Sequence, residues 1–492
     1  MGAKQSKISE ASVQAQLVDR LRALELKKNT EKSDDLAQDN APPAYAELSR
    51  DVSINTAEQW EKELLSDSKN RLAMAAFTSN AARDIIKSRS AIIADQQVYN
   101  TAIPVEGSPV TNQRASGRCW LFASTNVFRV PLMKKYDLKE FQLSQAYLFF
   151  WDKLEKANLF LENILDTVDE PLDSRLIQSL MSAPVNDGGQ WDMVANLVEK
   201  YGLVPQTLYP DAFNASNSSV MGRLLTTKLR EDALRLRSLA KSAKSDSANL
   251  QATKYHMMRE IHLILTLMLG PPPAPHKPFT WQYYDSKGKF HSLTTTPVKY
   301  AASIASTEIV KATGADVLKF FSLVHDPRNK YNTLLTVDRL GNVSSGRPVT
   351  YVNVEVSVLK ATAISMIKKG IPVFFGSDVG QYSNREGIMD LNLFDYSLGF
   401  NVKLGMTKAE RLSTGESAMT HAMVLTAVHI EEDGSISRWR VENSWSEEAG
   451  EKGYFVMTDV SFVFLCIWIQ LTQHYRHGST SSFTRLSHRA SS

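Results

Sequence analysis

Gln113-Arg114-Ala115-Ser116-Gly117-Arg118-Cys119-Trp120 is the stretch on which the reading of this 492-residue chain turns. Ser116 and Gly117 are suited to ending a loop, so a helix is expected to begin near Cys119. A cysteine at a helix N-terminus sits at the positive end of the helix dipole, which lowers the thiol pKa and favours the thiolate. The plain alternative is that Cys119 is a small buried apolar side chain, the usual fate of a lone cysteine. A nucleophile needs a base, and the rest of the chain supplies one.

Among ten histidines, His421 is set apart by its position, because Thr420-His421 opens the apolar run Ala422 to Ile430. Glu431-Glu432-Asp433-Gly434 reads as a turn that folds the chain back into Arg438 to Asn443. With the pivot between Glu432 and Asp433, His421 is expected opposite Ser444, with Asn443 one step away. Asn443 can accept a hydrogen bond from one imidazole nitrogen and so turn the other toward the thiol. Trp445 can cover that bond and exclude water. Cysteine, histidine and asparagine in this chain order form a convergent version of the catalytic triad. The expected resting state is a thiolate–imidazolium pair.

Composition is that of an ordinary globular protein, with 43% hydrophobic and 22% charged residues, and the length calls for two or three packed subdomains. A net charge of +3, from 56 basic and 53 acidic side chains, gives no argument for a polyanionic partner. There are two cysteines, Cys119 and Cys466, where a secreted protein of this size would carry more, which points to a reducing compartment. No secretory signal is visible at the start. The longest apolar run, Phe462 to Ile469, falls far short of the ~20 residues a membrane span needs, so a soluble protein is expected. Met1-Gly2-Ala3-Lys4-Gln5-Ser6 fits the pattern for acylation of Gly2, and a single acyl chain would give at most marginal membrane association. The alternative is a disordered start. No motif for a cofactor or a metal is found, and none is expected.

Val13, Leu17, Leu21 and Leu24 recur at helical spacing, and a polar linker follows to Pro42-Pro43. Asn112 to Leu165 reads as helical and rather apolar, with Ser144 as an N-cap. Leu225, Leu229, Ala233, Leu236 and Ala240 make one helical stripe, and a second apolar helix runs from about Met257 to Leu269, stopped by Pro271-Pro272-Pro273. Strand signals begin with the alternation of Phe279, Trp281 and Tyr283 before the turn Asp285 to Gly288. They continue at Val373 to Gly376, Ala422 to Ile430 and Trp439 to Val441. Helices first and strands later make an α+β fold with the two kinds of element segregated.

Ser116-Gly117-Arg118-Cys119-Trp120 resembles the papain signature around the nucleophile, with Ser116 in place of a cysteine that normally makes a disulfide. That resemblance implies an oxyanion-hole role for Gln113, six residues before Cys119. It also implies that Gly188 and Gly189, in Asp187-Gly188-Gly189-Gln190-Trp191, bind substrate backbone as an added strand, with Trp445 beside them. The short papain-like enzymes keep histidine and asparagine roughly 130–150 residues after the cysteine; here 302 residues separate Cys119 from His421. The chain therefore resembles the bleomycin hydrolase family, papain-like aminopeptidases with a large helical insertion. The likeness rests on Thr111-Asn112-Gln113-Arg114, Cys119-Trp120-Leu121-Phe122-Ala123, Leu143-Ser144-Gln145-Ala146-Tyr147, Thr420-His421-Ala422-Met423 and Arg440-Val441-Glu442-Asn443-Ser444-Trp445. It spans about residues 55 to 459.

The resemblance implies a papain-like core, with a helical half and a β-rich half, that removes N-terminal residues from peptide substrates as a homohexameric ring. It further implies deamidation of bleomycin, opening of homocysteine thiolactone, DNA or RNA binding in fungal members, and cytoplasmic and mitochondrial pools. The expected organisation is an N-terminal extension (1–50), the helical half bearing the nucleophile (51–213) and a mainly helical insertion (214–348). A β-rich half bearing the histidine and asparagine (349–459) and a divergent tail (460–492) follow. Ser446 stands where the family has glycine, which would strain the turn. Beyond Asp459 the family's C-terminal arm is not recognisable, although Phe462 to Ile469 could supply a closing strand. The tail carries Arg476, Arg485 and Arg489 and no acidic side chain, so N-terminally blocked peptides are expected to be cut as well as free ones. Two other readings compete. One is a nucleic-acid-binding ring using Lys228, Arg230, Arg235, Arg237, Lys241 and Lys244; the other is an inactive variant of the enzyme.

Overall fold

The computed structural model describes residues 51–242, 246–305, 316 and 319–471. The Val13–Leu24 periodicity, the Gly2 signal, Lys244 and the basic stretch after Leu471 lie outside them. The chain divides into two units between Ala82 and Arg83. In the first, helices Ile54–Ser66 and Ser68–Phe77 start on side-chain caps, Ser53 accepting from the Thr56 N–H at 3.1 Å and Asp67 from the Lys69 N–H at 2.8 Å.

The second unit is built around helix α1, Cys119–Tyr136, in which every residue from Trp120 to Met133 is buried. A helix enclosed on all sides carries no polar face, which is why no amphipathic stripe marks it in the sequence. It ends where Asp137 turns left-handed (φ 51°), which separates the helix expected to begin near Cys119 from the one expected to begin at the Ser144 cap. Its partner α2, Gln145–Asp166, begins on the expected cap, with Ser144 Oγ accepting from the Tyr147 N–H at 3.1 Å. Helices α3 (Trp191–Tyr201), α4 (Ser219–Ala240) and α5 (Ser247–Leu269) follow, and α4 and α5 both pack on α2. Leu225, Leu229, Ala233 and Leu236 of α4 are buried as the spacing requires. Helix α5 starts ten residues ahead of Met257 because Asp246 caps it, accepting from the Asn249 N–H at 2.7 Å. It stops at Gly270 (φ 81°), just before the prolines.

Strand β1 is Thr101–Ala102, and β2 (Phe279–Tyr284) and β3 (Phe290–Thr295) pair as a separate hairpin. The main sheet adds β4 (Phe321–Val324), β5 (Thr333–Thr336), β6 (Thr350–Asn353), β7 (Val373–Ser377) and β8 (Ile388–Met389). It is completed by β9 (His421–Ile430), β10 (Ile436–Glu442), β11 (Tyr454–Thr458) and β12 (Cys466–Leu471). The order across it is β5-β6-β4-β12-β7-β9-β10-β11-β8, with β1 also pairing β9. Residues 214–348 thus carry helices first and then strands, two of which join the main sheet. Helix α6 (Val356–Lys368) packs on β7, β9 and β12, while α1 lies against β9. Strand β9 is buried from His421 to Val428, as a strand covered by helices on a face and by strands on both edges must be.

The β9–β10 hairpin departs from the expected register. Its ladder shifts twice, between Ile436 and Arg438 and between Arg440 and Val441, and it ends with Glu442 opposite Val424. Continued by that register, Trp445 rather than Ser444 lies across from His421. Asn443 is then two residues from the facing position and on the same side of the sheet, since side chains alternate with period two. The two shifts cancel, the first adding a residue in β10 and the second one in β9, so the offset is set at the turn, where Ile436 already faces Ile430.

The stretch after Asp459, expected to be a divergent tail, is part of the architecture as far as Leu471. Helix α7, Asp459–Leu465, is capped by Thr458 and leads into β12, which fills the slot between β4 and β7.

Candidate active site

Cys119 is the first residue of α1, preceded by an Arg118 N-cap that supplies no side-chain hydrogen bond. Arg118 is instead wholly buried and forks onto Asp211 at 2.9 and 2.8 Å, which anchors the end of the loop that leads into Cys119. The thiol is half-buried. Its sulfur lies within hydrogen-bonding reach of the main-chain N–H groups of Ala422, next to His421, and of Trp120. Helix end and strand end therefore meet at the sulfur, and a cleft of about 370 Å³ opens there, lined by Gln113, Cys119, Gly188, Gly189 and His421.

His421 Nε2 is 2.8 Å from Asn443 Oδ1, so the ring donates from that nitrogen and Nδ1 is left for the thiol. Asn443 Oδ1 is itself fixed by the Ser444 N–H at 2.8 Å. Trp445 stacks on the imidazole with centroids 4.6 Å apart and 25° between planes, and Phe455 meets the indole edge-on. The indole thus lies over the imidazole, with 37% of Trp445 exposed.

Burial pushes the Cys119 thiol above its ordinary value, against main-chain hydrogen bonds that pull it down. Burial likewise depresses the imidazole of His421 to about 4, against the Asn443 bond that raises it. The sequence accounts for the helix end and the imidazolium, both favouring the ion pair. It does not account for desolvation, which opposes both charges. These influences act on a single proton shared by the pair.

Gln113 is brought to the same cleft and its amide is oriented from two sides. Ser444 Oγ donates to Oε1 at 2.7 Å, and Nε2 donates to Ser116 O at 2.6 Å, leaving its second N–H for the cleft. That orientation excludes the flipped amide, which would present oxygen to an oxyanion. Ser444 escaped the sequence reading, although its place next to Asn443 was the available signal.

Gly189 is required because a Cβ there would stand 2.6 Å from the Trp120 ring, whereas one at Gly188 would meet only Asn186 Oδ1 at an ordinary 3.6 Å. Asp187, just before them, is held ionised at about 2. Burial opposes this, but Lys153, Ser218 and the Gly117 N–H outweigh it. Ser446 adopts φ 71°, the left-handed strain expected from the missing glycine. A non-glycine residue there costs about 1–2 kcal/mol, while glycine gives back about 0.4–1 kcal/mol through the unfolded chain. Ser446→Gly is therefore expected to raise stability by up to about 1.6 kcal/mol, read as a higher urea midpoint at unchanged m-value. A lower midpoint would show that Ser446 Oγ, which accepts from the Glu448 N–H at 3.3 Å, matters more than the strain.

A larger hollow of about 770 Å³ lies between α2 and α5, but its Lys200 and Glu155 are paired at 2.5 Å and no thiol or catalytic pair lines it. The basic residues of α4 are largely engaged within the protein. Lys228 pairs with Asp232 and Glu260, Arg230 donates to the carbonyls of Met181 and Ser182, and buried Arg237 donates to those of Thr167 and Glu170. Among the described residues no group of three His, Cys, Asp or Glu is placed to hold a metal, and no helix is long and apolar enough to cross a membrane.

A thiol at a helix start, an imidazole at a strand start and a carboxamide at the end of the next strand define a papain-like cysteine peptidase. Residues 51–475 match the Peptidase C1-like family, and the chain belongs to it. The match runs past Asp459, where the resemblance had been expected to stop. The chain is 40% identical over 428 residues to "Cysteine proteinase 1, mitochondrial" of Saccharomyces cerevisiae, covering 86% of each. It is 43% identical over 410 residues to "Bleomycin hydrolase" of Homo sapiens, covering 82% of this chain and 88% of that one. The crystal structure of pepw from Lactobacillus rhamnosis HN001 superposes with a TM-score of 0.81 at 38% identity, covering 87% of this chain and 94% of the other.

Proposed function

We propose that Cys119 is the nucleophile of this peptidase, His421 its base, Asn443 the group that orients the base, and Gln113 with the Cys119 N–H the oxyanion hole. The observation that carries the reading is the 2.8 Å bond from His421 Nε2 to Asn443 Oδ1 at the cleft that also holds Cys119. A peptide lies along Gly188 and Gly189, and its scissile carbonyl faces the sulfur. Neutral His421 takes the thiol proton as the sulfur attacks, and the resulting imidazolium holds it. That proton goes to the leaving amine as the acyl-enzyme forms, and water then takes the thiol's place with His421 as base.

The action proposed is that of the bleomycin hydrolase type, removal of N-terminal residues from peptides by a homohexameric enzyme, with bleomycin and homocysteine thiolactone as further substrates. A cytoplasmic location with a mitochondrial pool follows from the same likeness. The sequence after Leu471 carries arginines and no acidic side chain that would favour a substrate ammonium, so an acetylated peptide is expected to be cut within a hundredfold of its free form. A preference for the free amine above a hundredfold in kcat/KM, about 2.7 kcal/mol, would show a strict aminopeptidase. No hydrolysis of either peptide would remove the proposal altogether.

The pH profile follows from the burial of the pair. His421 works as a base only when neutral, and its depressed value of about 4 keeps it neutral well below the ordinary 6.5. Cys119 is raised above its ordinary 9.0, so the alkaline limb moves up. The kcat/KM profile should stay broad, with an acid limb between 4 and 6 and an alkaline limb above 9. An acid limb at 6.5 or higher would show an imidazole in contact with water.

A further inference from the structure

The segment before the two glycines is held in an unusual way. Every main-chain carbonyl from residue 185 to 188 accepts a hydrogen bond from a side chain on α1 or α2. Lys153 Nζ takes Val185 O, Lys156 Nζ takes Asn186 O at 2.8 Å and Gly188 O at 2.6 Å, and Trp120 Nε1 takes Asp187 O at 2.6 Å. Both lysines are buried, at 0% and 5% exposure, in a helix that also buries Asp152 and Glu155. Lys156 is neutralised by Asp152 at 2.7 Å, and Lys153 by Asp187 Oδ1 at 2.6 Å.

The other oxygen of Asp187 faces the nucleophile. Oδ2 accepts from the Gly117 N–H at 2.9 Å and from Ser218 Oγ at 2.5 Å. Asp187 is therefore bonded on both sides of Cys119, to Gly117 two residues before it by the carboxylate and to Trp120 one residue after it by the carbonyl. Gly117 can approach this closely because it has no Cβ, which would stand 2.7 Å from Asp187 Cβ. The loop that carries the thiol and the wall that receives the substrate backbone are thereby tied through one residue.

We propose that Asp187 is a positioning residue that sets the nucleophile at a fixed distance from the Gly188–Gly189 wall, with buried Lys153 as its counter-charge. The proposal rests on Cys119 being the nucleophile. A wall and a thiol that are separately intact but displaced by an ångström still bind and still react, but no longer on the same substrate. Such a displacement costs about a hundredfold in turnover. Small reagents that need only the thiol do not sense it.

The test uses the full chain carrying Asp187→Asn. It follows kcat and KM on an aminoacyl amide, together with the rate of Cys119 alkylation by iodoacetamide across pH. The expected result is a fall in kcat of about a hundredfold, a KM changed by less than threefold, and an alkylation plateau retained within threefold. The alkylation midpoint should move to lower pH, because a negative charge near the sulfur is gone. Asp187→Asn leaves Lys153 buried without its counter-charge, so the pair Lys153→Met with Asp187→Asn is made alongside it to recover the fold. Ser218→Ala, which keeps the ion pair and removes one hydrogen bond, should lower kcat about two- to tenfold. Turnover within twofold of the parent in folded Asp187→Asn protein or in the double variant would overturn the proposal. So would parallel loss of turnover and alkylation, which marks a merely structural role. Labelling of Cys119 no faster than Cys466 in the parent would overturn the proposal together with the catalytic reading beneath it.

Discussion

Cys119→Ala is expected to lower kcat/KM by at least about 10⁴-fold while the protein still folds. The side chain is small and half-buried at the mouth of the cleft, so its truncation removes chemistry and little packing. Thermal unfolding should show a stability within about 1 kcal/mol of the parent. The companion measurement is thiol labelling. Cys466 is fully buried and burial pushes its thiol up to about 12, so in the folded protein it holds almost no thiolate. Iodoacetamide should mark Cys119 alone on the timescale of activity loss. A Cys119→Ala protein that still turns over would end the assignment.

His421→Ala should cost about as much, since without a base the thiol keeps its proton and the leaving amine receives none. Asn443→Ala is the more informative change. It leaves the imidazole stacked on Trp445 but removes the acceptor of the Nε2 proton, so a buried N–H is left unpaired and the ring is free to turn. A loss of about 10²–10³-fold in kcat is expected, carried by orientation. Asn443→Asp places a negative charge where the amide was. It should raise the imidazole pKa, so the acid limb of the profile shifts upward. An Asn443→Ala enzyme with kcat within threefold of the parent would assign the orienting role to the Trp445 stack alone.

The residues proposed to perform the chemistry could be picked out in the sequence because such chemistry leaves little freedom in their identity. A thiol at a helix start, a histidine opening an apolar strand and an asparagine at the end of its neighbour can be found from order and spacing. The hairpin register could not be read to the residue. The turn sets it one residue off, with Ile436 already opposite Ile430, and the two later shifts, an extra residue in β10 and then one in β9, cancel without any composition signal. Lys153 and Lys156 were missed because charged residues in a helix read as its wet side. Here they point inward, to carbonyls contributed by a loop 30 or so residues away. The place of β12 was hidden for a different reason. Phe462 to Ile469 reads as a possible strand, but nothing local says that it pairs with segments some 90 and 145 residues earlier, because sheet order is a non-local property.

The insertion of β12 also has a temporal meaning. Strands β5, β6 and β4 touch the rest of the sheet only through it, yet of all the described strands it leaves the ribosome last. Throughout synthesis, β4 and β7 each present a bare edge, and bare edges invite pairing with other nascent chains. The helix carrying Cys119 and the hairpin carrying His421 and Asn443 can both be translated while the sheet is still in two pieces. Loss of residues 466–471 would leave every catalytic side chain encoded and the two pieces of sheet unjoined. The joining of the two parts of the sheet in a newly made molecule thus waits on a segment that does not line the cleft.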